Sequence, residues 1–405
     1  MSSDLICDFC GKGVEQVEKI FSAENAHICS ECIATCSTVL HKELLRKTKK
    51  EFQRGLSVPI KIKEHLDNYV IGQEEAKKVL AVALYSHYKR IDKPILNDIE
   101  IEKSNILLMG PTGSGKTLLA KSLAKIMNVP FAVADATALT EAGYVGEDVE
   151  SILSRLLAAA DYEIEQAQHG IIYIDEIDKI ANKSESATSG RDVSGEGVQQ
   201  GLLKILEGGE VYVPLKGSRK SSSAETILFD TTHILFICGG AFVGLNNKHQ
   251  KAKSLVDKQM GFLKDSAEVE SKEIESKDLI SYGLIPEFMG RIPVLATLNE
   301  LSVEDLVRVL KEPKNAIIKQ YQALFELDGI DLEFSDDALE TIAIEAQEKG
   351  VGARGLRGII EKIMLPLQYE LPSKDDIDKC IITKEYIEKS ADITLVKIEE
   401  ERENG

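Results

Sequence analysis

Two sets of residues in this 405-residue chain have types and spacings that could do chemistry. The first is Cys7, Cys10, Cys29 and Cys32, which read C-x2-C-x18-C-x2-C. Each C-x2-C turn can present two thiolates to one ion, and two such turns close a tetrahedral zinc site. A redox pair or a chance spacing would explain one C-x2-C; two matched pairs favour Zn2+. A segment this short encloses little apolar core, so the metal is expected to supply much of its folding free energy. Cys36 falls outside the spacing, while Cys238 and Cys380 lie in apolar surroundings. All three read as structural thiols.

The second set lies in SNILLMGPTGSGKTLLAKSLA, a short apolar strand, a glycine-rich turn and a helix. Gly110, Pro111, Thr112, Gly113, Ser114, Gly115, Lys116 and Thr117 satisfy G-x4-G-K-[ST]. Such glycines let backbone N–H groups wrap phosphate oxygens at a helix N-terminus. The lysine reaches the β and γ phosphates and the threonine hydroxyl holds Mg2+. ATP and Mg2+ are therefore expected here.

These residues need a scaffold. GIIYIDEIDKI closes a continuous apolar run on Asp175 and Glu176, a pattern that suits a strand buried on both faces of a parallel sheet. Its carboxyl end would set Asp175 near the magnesium and Glu176 near the attacking water. A carboxylate base suits hydrolysis by activated water. A GTPase would want N-K-x-D, and the nearest string, NKSE at 182–185, ends in Glu. Further on, Leu339, Ile342, Ala343 and Ala346 recur at helical spacing, and Gly350 stops that helix. Arg354 then opens the next helix, where a cation opposes the dipole unless a phosphate faces it. Arg291, between Gly290 and Ile292-Pro293, adds nothing to a core.

Composition bounds the class. With 43% hydrophobic and 29% charged residues the chain can bury a real core, and its length suggests two or three domains. A net charge of -18 argues against broad phosphate-backbone binding, so nucleic acid is disfavoured as a partner. The first forty residues are acidic as well, which favours a protein-interaction or dimerisation module over a nucleic-acid reader. HKELLRKTKKEFQRG reads as a solvated linker, with a nucleic-acid arm as the alternative. No secretory signal or membrane-length apolar run is visible, so a cytoplasmic enzyme with reduced cysteines is expected.

The nucleotide core resembles the AAA+ ATPases. With the zinc module and the GYVG at 143–146, the chain is similar over nearly its whole length to the ClpX family of protein unfoldases. The resemblance implies an α/β fold: an AAA+ P-loop ATPase domain, a mostly helical C-terminal domain and an N-terminal zinc-binding module. The boundaries expected are 1–50 for the zinc module, 51–62 for a linker, 63–300 for the large domain and 301–405 for the small one. YVIGQ is similar to the family's adenine segment, which puts Val70 and Ile71 on the base. GLIPEFMGRIP resembles the arginine-finger segment and GVGARGLRGII the sensor-2 element, giving Arg291 and Arg354 their roles. A finger acting in trans requires a neighbouring subunit, and the family implies a homo-oligomeric, hexameric ring.

In such a ring Tyr144 and Val145 resemble the first pore loop and SGRDVSGEGVQQ, with Arg191, the second. An aromatic grips a polypeptide by contact that ignores its sequence. In isolation GYVG would be only an exposed loop tyrosine. Met260, Gly261 and Phe262 look like the tripeptide that docks on a ClpP-type peptidase, where the family usually has Leu or Ile first. The substrate-reading loop departs further: GSRKSSS stands where the family usually carries Arg-Lys-His. No polar residue around ILFICGG is assigned as sensor 1. The function implied is ATP-driven unfolding of tagged or unfolded proteins, brought directly or by adaptors, for a separate peptidase. A zinc-finger motor acting on DNA is the alternative; a non-enzymatic adaptor would leave the P-loop unexplained.

Overall fold

The computed structural model describes residues 5–23, 26–37, 58–92, 95–96, 99–140, 146–181, 195–214, 226–245, 274–374 and 377–397. Tyr144, Val145, Arg191, Met260, Gly261 and Phe262 lie outside the described residues, as do the 217–223 loop and the basic stretch 41–55. The chain divides into two compact units, Met1–Val58 and Pro59–Gly405.

In the first unit Ile20–Ala23 pairs antiparallel with Ala26–Cys29, and a helix begins at Ser30. Among its described residues only Cys7 and Cys29 are buried. Apolar packing alone does not hold so small a fold. Cys36 is exposed, against the expectation of a structural thiol.

The second unit is built on five parallel strands in the order Val294–Thr297, Ile106–Met109, Leu235–Gly240, Ile171–Asp175, Phe131–Asp135. The three inner strands are apolar along their length because helices cover both faces, and every residue of Ile106–Met109 and Leu235–Gly240 is buried. The edge strand Phe131–Asp135 alternates instead, exposing Val133 and burying Ala132 and Ala134. Lys116–Met127 follows the first inner strand directly and buries Leu119, Leu123 and Ile126. The crevice at the carboxyl ends of parallel strands is where such sheets hold ligands.

A second buried cluster runs from Leu301 to Ile382, apart from the one between Leu107 and Ile292. Its helices are Val303–Lys311, Ile317–Leu327, Asp336–Glu348 and Ala353–Glu370. The periodic segment behaves as read: Ser335 caps Asp336–Glu348 by accepting from the Ala338 N–H, and Leu339, Ile342, Ala343 and Ala346 are buried. A three-stranded sheet accompanies the helices, with Ile377–Ile382 between Asp331–Phe334 and Thr394–Lys397. The sequence reading did not include it; an irregularity between Ile377 and Lys379 interrupts the strand's alternation.

Candidate functional site

The four cysteine sulfurs all lie within 4.8 Å of one another. Tetrahedral Zn–S bonds of about 2.3 Å place sulfurs roughly 3.8 Å apart, so the set fits Zn2+. The backbone prepares the thiolates. The Cys29 N–H donates to Cys7 Sγ at 3.2 Å and the Cys32 N–H to Cys29 Sγ at 3.4 Å. Gly11, at φ +74, closes the first turn with its N–H on the Cys7 carbonyl. Phe9 and Phe21 are exposed around an apolar depression shared with His27 and Ile28. Chelating zinc, or replacing Cys7 and Cys29 by Ser, is expected to unfold this unit, since structural zinc contributes about 10–16 kcal/mol to such modules. Basal ATP turnover is expected to persist, because the nucleotide residues belong to the other unit. Metal analysis, circular dichroism of a 1–58 fragment and an ATPase assay on the full chain check both halves; zinc-free protein as isolated would contradict the assignment.

At the head of the parallel sheet, Ile106–Met109 delivers the 110–117 loop to the start of Lys116–Met127. Lys116 is half-buried and turns its ammonium onto the carbonyls of Gly110 (2.6 Å) and Pro111 (2.9 Å). Desolvation lowers its pKa; Arg354 adds to that shift, while Asp175 and Asp178 oppose it. Ser114 Oγ is buried with no protein partner. A loop of free donors around a lysine fits triphosphate oxygens.

Asp175 ends the inner strand Ile171–Asp175, which Leu235–Gly240 separates from the P-loop strand, and Glu176 follows it. Thr117 Oγ1 donates to Asp175 Oδ2 at 3.2 Å, which joins the two groups expected at Mg2+. Oδ1 of the same carboxylate accepts from Tyr173 OH at 3.0 Å and from the Glu176 N–H at 2.9 Å. Glu176 is exposed and sits in left-handed backbone at φ 57, ψ 33. That conformation is uncommon for a non-glycine residue and clusters at functional sites. The Glu176 side chain is left exposed, while Asp175 is held by its hydrogen bonds.

Arg354 lies in the first turn of Ala353–Glu370 and is exposed. The turn preceding it touches the P-loop: a Cβ on Gly113, at φ +80, would lie 2.5 Å from the Val351 carbonyl oxygen. No side chain fits between them. Arg354 and Lys116 thus approach one place from two buried clusters. Val70 and Ile71 are buried beside it, at 4% and 6% exposure, and Val70 Cγ1 stands 4.0 Å from a Cβ built on Gly115.

Gln73 is a residue whose place the sequence reading missed. At φ 60 and 8% exposure, its Nε2 donates to the carbonyls of Ser114 (3.3 Å) and Asn299 (2.8 Å). Its Oε1 accepts from the Asn299 N–H at 2.9 Å. One side chain therefore fastens the YVIGQ segment, the P-loop and the chain entering the second cluster. Only its position at the end of YVIGQ marked it.

Arg291 is not with the others. Its carbonyl accepts from Asn105 Nδ2 at 2.8 Å, at the start of the P-loop strand, and Nδ2 also donates to the Leu206 carbonyl at 3.2 Å. The P-loop leaves the other end of that strand, about 16 Å away at roughly 3.3 Å per residue. The guanidinium is paired with Glu207 at 2.9 Å, both half-exposed. Sensor 1 stays without a residue: Leu235–Gly240 ends in two glycines, and beyond it the Ala241 N–H bonds Asp178 Oδ1 at 3.1 Å.

Comparison with known proteins identifies the domains. Residues 101–295 match the AAA domain (Cdc48 subfamily), residues 5–42 the ClpX C4-type zinc finger, and residues 301–384 the C-terminal, D2-small domain of ClpB protein. The chain is 54% identical over 403 residues to an ATP-dependent Clp protease ATP-binding subunit ClpX 2 of Wolinella succinogenes, covering 99% of this chain and 100% of that protein. It is 52% identical over 387 residues to the ClpX subunits of Borrelia duttonii and Borrelia recurrentis, covering 94% of this chain and 90% of theirs. Among the described residues no helix is long and apolar enough to cross a membrane. The chain belongs to the ClpX family of unfoldase subunits of the ATP-dependent Clp protease, and it is an ATPase that uses ATP, Mg2+ and Zn2+.

Proposed function

We propose that this chain assembles into a cytoplasmic hexameric ring that pulls proteins through its central channel and passes them to a ClpP-type peptidase. The observation that carries this is the join at Gly113, where the P-loop and the Arg354 turn meet without room for a Cβ. Phosphate bound at Lys116 is then felt by the second buried cluster, which can turn relative to the sheet as nucleotide changes. In this account residues 110–117 hold the phosphates, Thr117 and Asp175 the magnesium side, and Glu176 activates water. Val70 and Ile71 pack on adenine, Arg354 reads the phosphate in cis, and Arg291 reaches the nucleotide of a neighbour. The zinc module at 1–50 is an interaction module for substrates or adaptors, consistent with its exposed Phe9 and Phe21. The other segments are a linker at 51–62, the large domain at 63–300 and the small one at 301–405. A DNA-directed motor gains no support from the family.

Tyr144 and Val145 would grip the polypeptide, with Arg191 on a second loop, and Met260, Gly261 and Phe262 would dock on the peptidase. The ends of the first loop are held together, since Leu139–Thr140 pairs with Glu147–Asp148. Tyr144 lies in sequence between the P-loop helix and the Asp-Glu strand and is assigned no nucleotide role, so basal hydrolysis in Tyr144→Ala is expected to stay within about tenfold, roughly 1.4 kcal/mol of barrier. Unfolding of a stable tagged protein should fall much further, because each stroke slips, and an already unfolded client should suffer less. ATP consumed per stable protein unfolded is the quantity to compare. An unchanged ratio would show that Tyr144 does not touch substrate.

A further inference from the structure

Tyr173 is among the largest side chains with no exposure; its hydroxyl donates to Asp175 Oδ1 at 3.0 Å and also interacts with the Thr117 hydroxyl. Burying a hydroxyl is unfavourable unless it is hydrogen-bonded, and phenylalanine would fill the same space without that demand. The neighbouring strand makes room for the ring. Tyr173 stands opposite Ile237 in the ladder, and a Cβ on Gly239, two residues on, would lie 2.0 Å from the tyrosine oxygen and 2.6 Å from Cζ. The glycine is required by the ring, so it is the hydroxyl's bond that calls for a reason.

That bond completes a set. Asp175 Oδ1 takes two donors, Tyr173 OH and the Glu176 N–H, and Oδ2 faces Thr117 Oγ1. With Oδ1 occupied, the carboxylate cannot rotate about its Cβ–Cγ bond without losing both donors. Oδ2 is thereby kept toward Thr117 and the magnesium side. We propose that the Tyr173 hydroxyl, seated over Gly239, is a positioning group that holds Asp175 in its Mg2+-facing orientation. It supplies from the Asp-Glu strand a polar contact that Gly239 and Gly240 do not supply from their own. This rests on the reading of Asp175 as the magnesium-side carboxylate.

Tyr173→Phe in the full chain tests it. Binding of a slowly hydrolysed ATP analogue is measured with Mg2+ and with EDTA. Groups that orient a metal ligand typically change metal affinity by about tenfold or more. The gain in nucleotide affinity on adding Mg2+ is expected to fall about tenfold, with EDTA affinity unchanged. The Mg2+ needed for half-maximal hydrolysis should rise by the same factor, and excess Mg2+ should restore the rate. Asp175→Asn is the companion. If it loses the Mg2+ gain and Tyr173→Phe keeps it, the positioning role is overturned while the site stands. If Asp175→Asn also keeps the gain, the site itself is misassigned. A fall in EDTA affinity together with a melting shift above about 5 °C in Tyr173→Phe would make the hydroxyl a packing group and overturn the role.

Discussion

Glu176→Gln is expected to bind ATP and assemble while hydrolysing it about a hundred to ten thousand times more slowly, the range a positioned general base contributes. The substitution removes the base and little else. The Glu176 N–H on Asp175 Oδ1 and the Glu176 carbonyl on the Lys179 N–H are backbone bonds that glutamine keeps. Glutamine also keeps the length of the side chain and adopts the same left-handed φ at similar cost. Because the carboxylate is exposed and is seen in no ion pair among the described residues, its loss leaves no buried charge unmatched. Single-turnover hydrolysis and nucleotide binding, measured side by side, check the split. Normal turnover would remove Glu176 from the chemistry.

Arg291→Ala should be at least as severe, since an arginine stabilising transferred γ-phosphate charge is worth about a thousandfold or more. Two structural facts shape this expectation. Arg291 stands at the opposite end of the P-loop strand from its own P-loop, too far for a side chain to span. Its partner Glu207 is a half-exposed pair, worth roughly 0–1 kcal/mol, so the guanidinium can leave it for a phosphate at little cost. The backbone stays anchored meanwhile through Asn105. The decisive form of the experiment mixes two inactive proteins. In rings of Arg291→Ala and Glu176→Gln chains, a site with intact Glu176 can receive an intact arginine from its neighbour. Roughly a quarter of interfaces in an equal, random mixture have both, so activity should reappear on mixing. If mixing restores nothing and each variant still assembles, Arg291 does not act in trans.

Much of this machinery was legible because it is local. The glycine-rich turn, the apolar run ahead of Asp175 and the 3.6-period of 336–348 each announce themselves within a dozen residues. The paired C-x2-C turns do the same at slightly longer range. What the sequence concealed is non-local. Gln73 reaches Ser114 across 41 positions and Asn299 across 226. The Asn105 clamp spans 186 positions to Arg291. The Tyr173 hydroxyl finds its space only because Gly239 comes beside it in the sheet. Such contacts leave no periodicity to read. Arg291 was identified by resemblance, but its placement at the amino ends of the strands, away from its own P-loop, appears only once Val294–Thr297 is paired with Ile106–Met109.

The most direct measurement follows a stably folded fluorescent protein carrying unstructured tags, mixed with the full chain. With ATP its fluorescence should decay, and it should persist with a slowly hydrolysed analogue or with Glu176→Gln chain. Steady ATP hydrolysis with no loss of fluorescence, across a panel of tags, would contradict the claim that turnover at Lys116 and Glu176 drives unfolding.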